Sequence, residues 1–456
     1  MYSVITKNYT ISFFWIGIHV LLGIVVAFIP AIAKLWGIIP LALGLYFTTV
    51  KKNGGNEAGL WAAYYVGLEV LLRVTGGGLS WEFGKYAVIL FLIYGLFVEQ
   101  KWYQRNIWWV FFIIVLLVPA IFFTFGWSDD VRDDILFNIS GMMALCVAVA
   151  YFYKRALTFD QFTQLLSYLL MPIISLCFVL FIKTPDVSSI NFTTAANFKT
   201  SGGFGPNQVA TVLGVGWVII LICFLYQIKY TRFLWLDIIL FAFILYRSLF
   251  TFSRGGNLGA FLGILAFLCI HILNKNFKIV SPRVLFYIVL LSLASFIIVI
   301  QLDNITSGAF VNRFTGRDAA GDIKEDATSG RINIVENELL LFKEYPLGVG
   351  VGGSSTFRKE YLGDDTPTHN EFGRLISEHG VFGIIVIAIL IIVPGRLYFK
   401  LRYIDNRAFL VFFLIISFST MMHSAMRIAL PAFFYGLSMI YLYPKQHDIV
   451  YRQQTV

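Results

Sequence analysis

The chain has 456 residues, of which 58% are hydrophobic, 17% aromatic and only 13% charged, with a mean hydropathy of +0.77. A soluble domain carries about 25% charged residues, so this composition excludes one and predicts an all-α integral membrane protein, a polytopic bundle of about 12–14 transmembrane helices with a large helical extracytoplasmic loop. The net charge of +9 does not signal a nucleic-acid binder, because the basic residues sit in short clusters between apolar runs, as in the cytoplasmic loops of membrane proteins.

Apolar stretches of spanning length, about 20 residues, begin near Ile11, Ala31, Ala58, Lys85, Ile107, Ile135, Thr163, Asn207, Phe233, Asn257, Val284, Val381, Ala408 and Arg427. The first, Ile11 to Pro30, lacks a small-residue cleavage site and reads as a retained helix rather than a signal peptide. Cys146, Cys177, Cys223 and Cys269 lie inside apolar runs without ligand spacing, so they read as packing residues, and no metal site or disulfide framework is expected. Glu69 and Arg73, four apart on one helix, read as a mutually satisfied structural pair.

Lys51, Lys52, Lys101, Arg105, Lys154, Arg155, Lys229, Arg232, Lys275, Lys278, Arg283, Arg396, Lys400, Arg402 and Arg407 fall in alternate connections. The positive-inside rule places those connections and both termini in the cytoplasm, and the intervening loops outside. The outer loops include the one after Gly126, the Thr184 to Pro206 segment and a long insertion, Asp303 to Gly380. That insertion holds 13 of the 26 acidic residues and only 8 of the 35 basic ones. The expected organisation is a helical region over 1–302, an extracytoplasmic subdomain over 303–380, further spans over 381–443 and a cytoplasmic tail over 444–456.

Within the insertion, Thr328 or Ser329 is placed to cap a helix whose apolar positions Ile332, Val335, Leu339 and Phe342 form one greasy face, with Pro346 and Gly348 ending it. Arg331 falls in its first turn. The following LGVGVGGSS lacks the Walker lysine, which argues against a nucleotide phosphate loop. Thr368 to Glu371 fits the capping box T-x-x-E, which predicts His369 at the first position of a helix running toward Gly380. A helix N-terminus disfavours imidazolium and attracts anions, so a neutral His369 would suit a general base acting beside a phosphate. On local pattern alone, an exposed polar residue beside a cap is the favoured reading. Arg247 and Arg254, seven apart, fall on nearly one face if a single helix spans both, at the outer end of the ninth apolar run. Charges there face a polar cavity or snorkel to the interface. Asp364 and Asp365 read as a solvated turn.

GFGPNQVA at Gly203–Ala210, FSRGG at Phe252–Gly256, TSGRINIVENELLLFKEYPLGVGVG at Thr328–Gly350 and HNEFGRLISEHGVFG at His369–Gly383 together resemble the O-antigen ligase and polymerase superfamily of bacterial envelopes. Val335 stands where many relatives have tryptophan. The resemblance implies a multi-pass protein of the bacterial cytoplasmic membrane that transfers glycan from a polyprenyl (undecaprenyl) diphosphate carrier on the periplasmic face, with inversion, needing neither cofactor nor metal. The implied acceptor is a glycan, a lipid A core or a glycoprotein, and the surroundings are membrane lipids. It implies Arg254 and Arg331, with Arg247 as a neighbour, at the donor diphosphate, His369 as catalytic base, and Asn370, Asn207 and Glu378 in support. Ligase activity is expected, with repeat-unit polymerase as the alternative and a lipid-linked glycan flippase as a lower one.

Overall fold

A computed structural model describes residues 13–100, 107–122, 129–231, 233–274, 282–318, 321–324, 331–359 and 369–443. The caps read at Thr328, Ser329 and Thr368, the Asp364–Asp365 turn, Gly126, Lys101, Arg105, Arg232, Lys275, Lys278, the Arg283 side chain and the tail over 444–456 lie outside the described residues.

The all-α expectation holds. Among the described residues eleven helices begin before the insertion: α1 (Phe13–Phe28), α2 (Ala31–Val50), α3 (Glu57–Thr75), α4 (Phe83–Glu99), α5 (Trp108–Phe122), α6 (Asp129–Phe152), α7 (Phe159–Lys183), α8 (Pro206–Leu225), α9 (Leu234–Leu249), α10 (Arg254–Leu273) and α11 (Pro282–Ile305). Within the insertion lie α12 (Ala309–Phe314), α13 (Arg331–Glu344) and α14 (Gly353–Phe357), followed by α15 (Glu371–Lys400), α16 (Ile404–Ser424) and α17 (Leu430–Leu437). Among the described residues the only strands are β1 (Ala156–Leu157) and β2 (Tyr441–Leu442), which pair in parallel. Eight helices there are long and apolar enough to cross a membrane. The protein is therefore a multi-pass membrane protein.

The core is built around α3, α7 and α8, which are buried along most of their length. α3 packs on α4 and α7, α8 on α9 and α10, and α10 on α16. Small residues permit such close crossings in a membrane; a side chain at Gly67 on α3 would collide with the Leu169 carbonyl on α7.

The expectation of a fourteenth span near Arg427 needs correction. Its helix, α17, has 8 residues, about 12 Å, too short to cross a bilayer alone. The stretch nevertheless connects both ends of the bundle. At one end the Ala425 amide donates to the His369 carbonyl (2.9 Å), and at the other the Leu442 amide donates to the Asn406 carboxamide oxygen (2.8 Å). Every residue of α17 is buried.

Contacts sort the connections onto two ends. At one, Arg155 makes a two-pronged pair with Glu99 (2.5 and 2.9 Å), the Tyr441 amide donates to the Arg155 carbonyl, and Asp405 meets Tyr226 (2.6 Å) and His271 (3.0 Å). At the other, Arg313 donates to the Thr194 carbonyl (3.0 Å), and the Asn197 amide to the Thr251 carbonyl (3.0 Å).

Two elements of the insertion differ from expectation. On α13 the buried positions are Ile334, Glu338 and Leu341, while Ile332 and Leu339 are exposed. The helix is rotated because Glu338 turns inward toward the buried Arg358 (3.7 Å). At α15 the cap is Asn370, whose side-chain oxygen accepts from the Phe372 amide (3.1 Å), so the helix starts after His369 rather than at it. α15 is broken at Gly380 (φ 58°, ψ −135°). The break receives the turn after α13: the Val381 amide donates to the Pro346 carbonyl (2.9 Å), and the Val349 and Gly350 amides donate to the Ser377 and Glu378 carbonyls.

Gly380→Ala combines a disfavoured backbone conformation, costing about 1–3 kcal/mol, with a Cβ driven into the Pro346 carbonyl and Leu347. Its melting temperature in detergent should fall clearly. Gly395→Ala, on the same helix with open space around its Cβ, should be neutral or raise stability by up to about 1 kcal/mol. Equal melting temperatures for the two variants would contradict this account of the break.

Candidate functional site

The end of the bundle that carries the insertion gathers cationic side chains from several elements. Arg254 is the first residue of α10, Arg331 the first of α13, Arg313 lies on α12, and Arg427 sits in the turn between α16 and α17. Arg254, Arg313 and Arg331 influence one another electrostatically, and Arg427 answers to other charges. Burial, then the charges of Arg254 and Arg331, pushes Arg313 down to about 10. Burial and Arg254 lower Arg331. Burial, Arg374 and Arg73 push Arg427 down to about 10, against an opposing pull from Glu371.

His369 lies within electrostatic reach of Arg331 and Arg427. It is half-buried, its carbonyl is tied to the Ala425 amide, and its Nδ1 is a buried atom without a hydrogen-bond partner. Its pKa falls to about 4, first through burial, then through Arg427, Arg331, His423 and Arg358. Such surroundings favour the neutral ring at physiological pH; the helix terminus that the sequence placed beneath it begins beyond it.

The supporting residues divide between positioning cations and positioning backbone. The Asn207 side-chain oxygen accepts from the Ser253 hydroxyl (2.8 Å), which immediately precedes Arg254, and its nitrogen reaches the His423 carbonyl (3.4 Å). Asn370 caps α15 next to His369. Glu378 is buried on α15, accepts from the Ser354 hydroxyl (2.9 Å), and thereby pins the turn that leads into α14. Glu371 pairs with Arg374 (2.5 Å) and accepts from the Met426 amide (3.2 Å), beside Arg427.

Arg247 is not brought to this cluster. α9 ends at Leu249 and α10 starts at Arg254, so the single helix face assumed for Arg247 and Arg254 does not exist. The Arg247 guanidinium is fully buried, with Nη2 within reach of the Leu180 carbonyl (3.0 Å), the Thr184 hydroxyl (2.8 Å) and the Thr200 carbonyl (2.9 Å). It ties the 184–206 segment to α7 and α9. Arg317 is likewise spent locally, on the Gly321 carbonyl (2.9 Å).

Sequence reasoning passed over Arg427 and left Arg313 unassigned. The signal for Arg427 was an arginine at the outer edge of an apolar run. His423 is buried against α10: its Nδ1 meets the Ser419 carbonyl (2.6 Å), its Nε2 meets Thr211 (3.2 Å), and its ring fills the space a side chain at Gly255 would need. That glycine lets the imidazole close over the residue next to Arg254. Among the described residues no cluster of His, Cys, Asp and Glu is arranged to hold a metal ion. Cys146, Cys177 and Cys223 are buried and Cys269 is exposed, all as free thiols.

No curated protein and no solved structure matches the chain. A family model described as O-antigen ligase matches residues 238–388. The matched stretch runs from α9 into α15 and carries Arg254, Arg313, Arg331 and His369.

Proposed function

We propose that the protein transfers glycan from a polyprenyl-diphosphate carrier to an acceptor hydroxyl on the outer face of the bacterial cytoplasmic membrane, as an O-antigen ligase in surface-glycan assembly. The observation that carries this reading is that Arg331 and Arg427 adjoin His369 and lower its pKa, while Arg254 acts in turn on Arg331 and Arg313. The family match supports the same class of chemistry. A repeat-unit polymerase would use the same donor site and differ only in its acceptor.

In this reading the donor diphosphate lies against Arg254 and Arg331, with Arg313 and Arg427 enlarging the cationic surface. The acceptor oxygen attacks the anomeric carbon from the face opposite the diphosphate. The C–O bond to the diphosphate breaks, its electron pair passes to the leaving oxygen, and the acceptor proton passes to the unpartnered Nδ1 of His369. Guanidinium groups stabilise the accumulating charge through paired N–H donors. A single displacement inverts the anomeric centre. Arg247, fixed to backbone carbonyls, serves as a structural tie in this scheme.

Arg254→Ala and Arg331→Ala should each lower transfer by roughly 10²- to 10³-fold without loss of expression, measured with purified enzyme and carrier-linked glycan. Lysine at either position should recover little, because a point charge lacks the planar fork. Wild-type rates in both alanine variants would remove the diphosphate assignment.

His369→Ala should abolish transfer and leave carrier-linked donor accumulating in cells. Because kcat/KM reports the free enzyme, its acidic limb should lie at about pH 4, where His369 takes up a proton, and not near the ordinary value of about 6.5. A limb that persists in His369→Ala, or an active His369→Ala enzyme, would assign the base to another group.

The orientation is tested by cysteine labelling in a cysteine-free background. Leu347→Cys, exposed in the turn after α13, should react with an impermeant maleimide in intact cells (after outer-membrane permeabilisation where there is one), and Lys154→Cys only after lysis. The reverse pattern would invert the topology and with it the mechanism.

A further inference from the structure

Beside the cationic cluster, at the end of α3, lies a solvent-open groove that the proposed chemistry does not use. It is lined by Arg73, by the backbone around Gly76 and Gly78, and by Trp81. Trp81 is 61% exposed, yet its ring is held. The Arg73 guanidinium lies over it (5.4 Å to the centroid) and over Phe204 (5.9 Å), and the two rings meet at 5.9 Å. Arg73 pairs with Glu69 (2.7 Å) and Glu82 (3.3 Å), and Glu82 with the buried Lys85 (2.5 Å). The four charges cancel. Arg73 has a side chain only 5% exposed, and its Nε is a buried donor without a hydrogen-bond partner.

The groove is joined to the cluster twice. Phe204 and Asn207 are three residues apart, so their Cα atoms are at most about 11 Å from each other, and Asn207 holds the residue beside Arg254. Glu69 accepts from the Ala429 amide (2.7 Å), two residues beyond Arg427.

We infer that this groove is a carbohydrate subsite that holds a sugar ring of the acceptor glycan, stacked on Trp81 and hydrogen-bonded to Arg73 and Ser80, both of which line it. The inference rests on the proposed glycan transfer and names its acceptor side. A pyranose offers an apolar face of C–H groups and a rim of hydroxyls that both donate and accept. A rigid aromatic plate next to a guanidinium, the Ser80 hydroxyl and the backbone around Gly76 and Gly78 complements both. Charge assigns the sides: the neutral groove has no preference for a diphosphate, whereas the arginine cluster has a strong one. Trp81 and Arg73 act on binding and position, not on the reacting atoms.

The test is saturation-transfer NMR on the full chain in nanodiscs. The probe is carrier-free oligosaccharide released by mild acid hydrolysis from the producing organism's surface glycans. Wild-type protein should bind it at millimolar concentration. Trp81→Ala should weaken binding at least tenfold, Trp81→Phe should retain most of it, and Arg331→Ala should bind as wild type, since its site is for the donor. In transfer assays Trp81→Ala should raise KM for the acceptor at least tenfold while KM for the donor and kcat stay within about twofold of wild type. Three results overturn the inference: no wild-type binding, undiminished binding by Trp81→Ala, which leaves Trp81 as an interfacial anchor, or loss of binding in Arg331→Ala while Trp81→Ala binds. Because the binding arm involves no transfer, it separates failure of the subsite from failure of the proposed reaction.

Discussion

The structure depends on keeping like charges together at the mouth of an apolar bundle. Two unit charges 4 Å apart repel by about 4 kcal/mol at the effective dielectric of a protein surface, and burial raises the cost. After burial, the charge of Arg254 lowers both Arg313 and Arg331, and Arg331 lowers Arg313 further, which expresses that repulsion. Each cation must therefore ride on a segment anchored by something else. Arg331 begins a helix held inward by the Glu338–Arg358 pair. Arg427 sits in a turn whose flanking amides, Met426 and Ala429, are bound by the carboxylates of Glu371 and Glu69. Arg313 donates its own Nε to the Phe252 carbonyl (3.2 Å) and Nη1 to Thr194.

The same tension appears in the backbone. Phe252 (φ 58°) and Ala425 (φ 53°, ψ −158°) hold positive φ without being glycine, and each lies two residues before a cluster arginine. Such conformations cost of order 1–3 kcal/mol and persist where surrounding packing dictates them. Both residues are buried, and the Ala425 amide holds the His369 carbonyl. Strain, repulsion and an unpartnered imidazole nitrogen thus occupy one place, and the ion pairs and apolar packing that offset them lie around it.

Most of the architecture was legible because a bilayer demands long apolar helices, and runs of about 20 apolar residues are hard to mistake. The errors came where local pattern competes with tertiary contact. Thr158 and Gln161 form a complete capping box; T-x-x-E at 368–371 spells the same box, yet Asn370 takes the cap because the Ala425 amide fixes the His369 carbonyl outside the helix. The stripe of α13 was misread because periodicity ranks Glu338 as polar and hence exposed, whereas Arg358 draws it inside. Arg254, Arg331 and His369 stood out as polar residues in short motifs at the edges of apolar runs. Arg427 did not, because it opens the run MRIALPAFF and its partners come from distant segments. Arg247 was misplaced by assuming one helix where the chain breaks at Phe250–Ser253.

Under the proposed chemistry the cluster does more than receive the donor. In the donor the diphosphate is a diester and carries less charge than the diphosphate monoester released. Interactions that strengthen as charge accumulates favour the transition state over the bound substrate, which is the requirement for lowering the barrier. They also strengthen further toward product. The arginines that assist departure therefore retain the spent carrier, and release is eased when a proton returns from His369 to the diphosphate, reducing the charge the cluster holds. An imidazole kept neutral by burial, and then by neighbouring guanidinium groups, is a weak base that gives its proton back readily, so the surroundings that lower its pKa also reset the site.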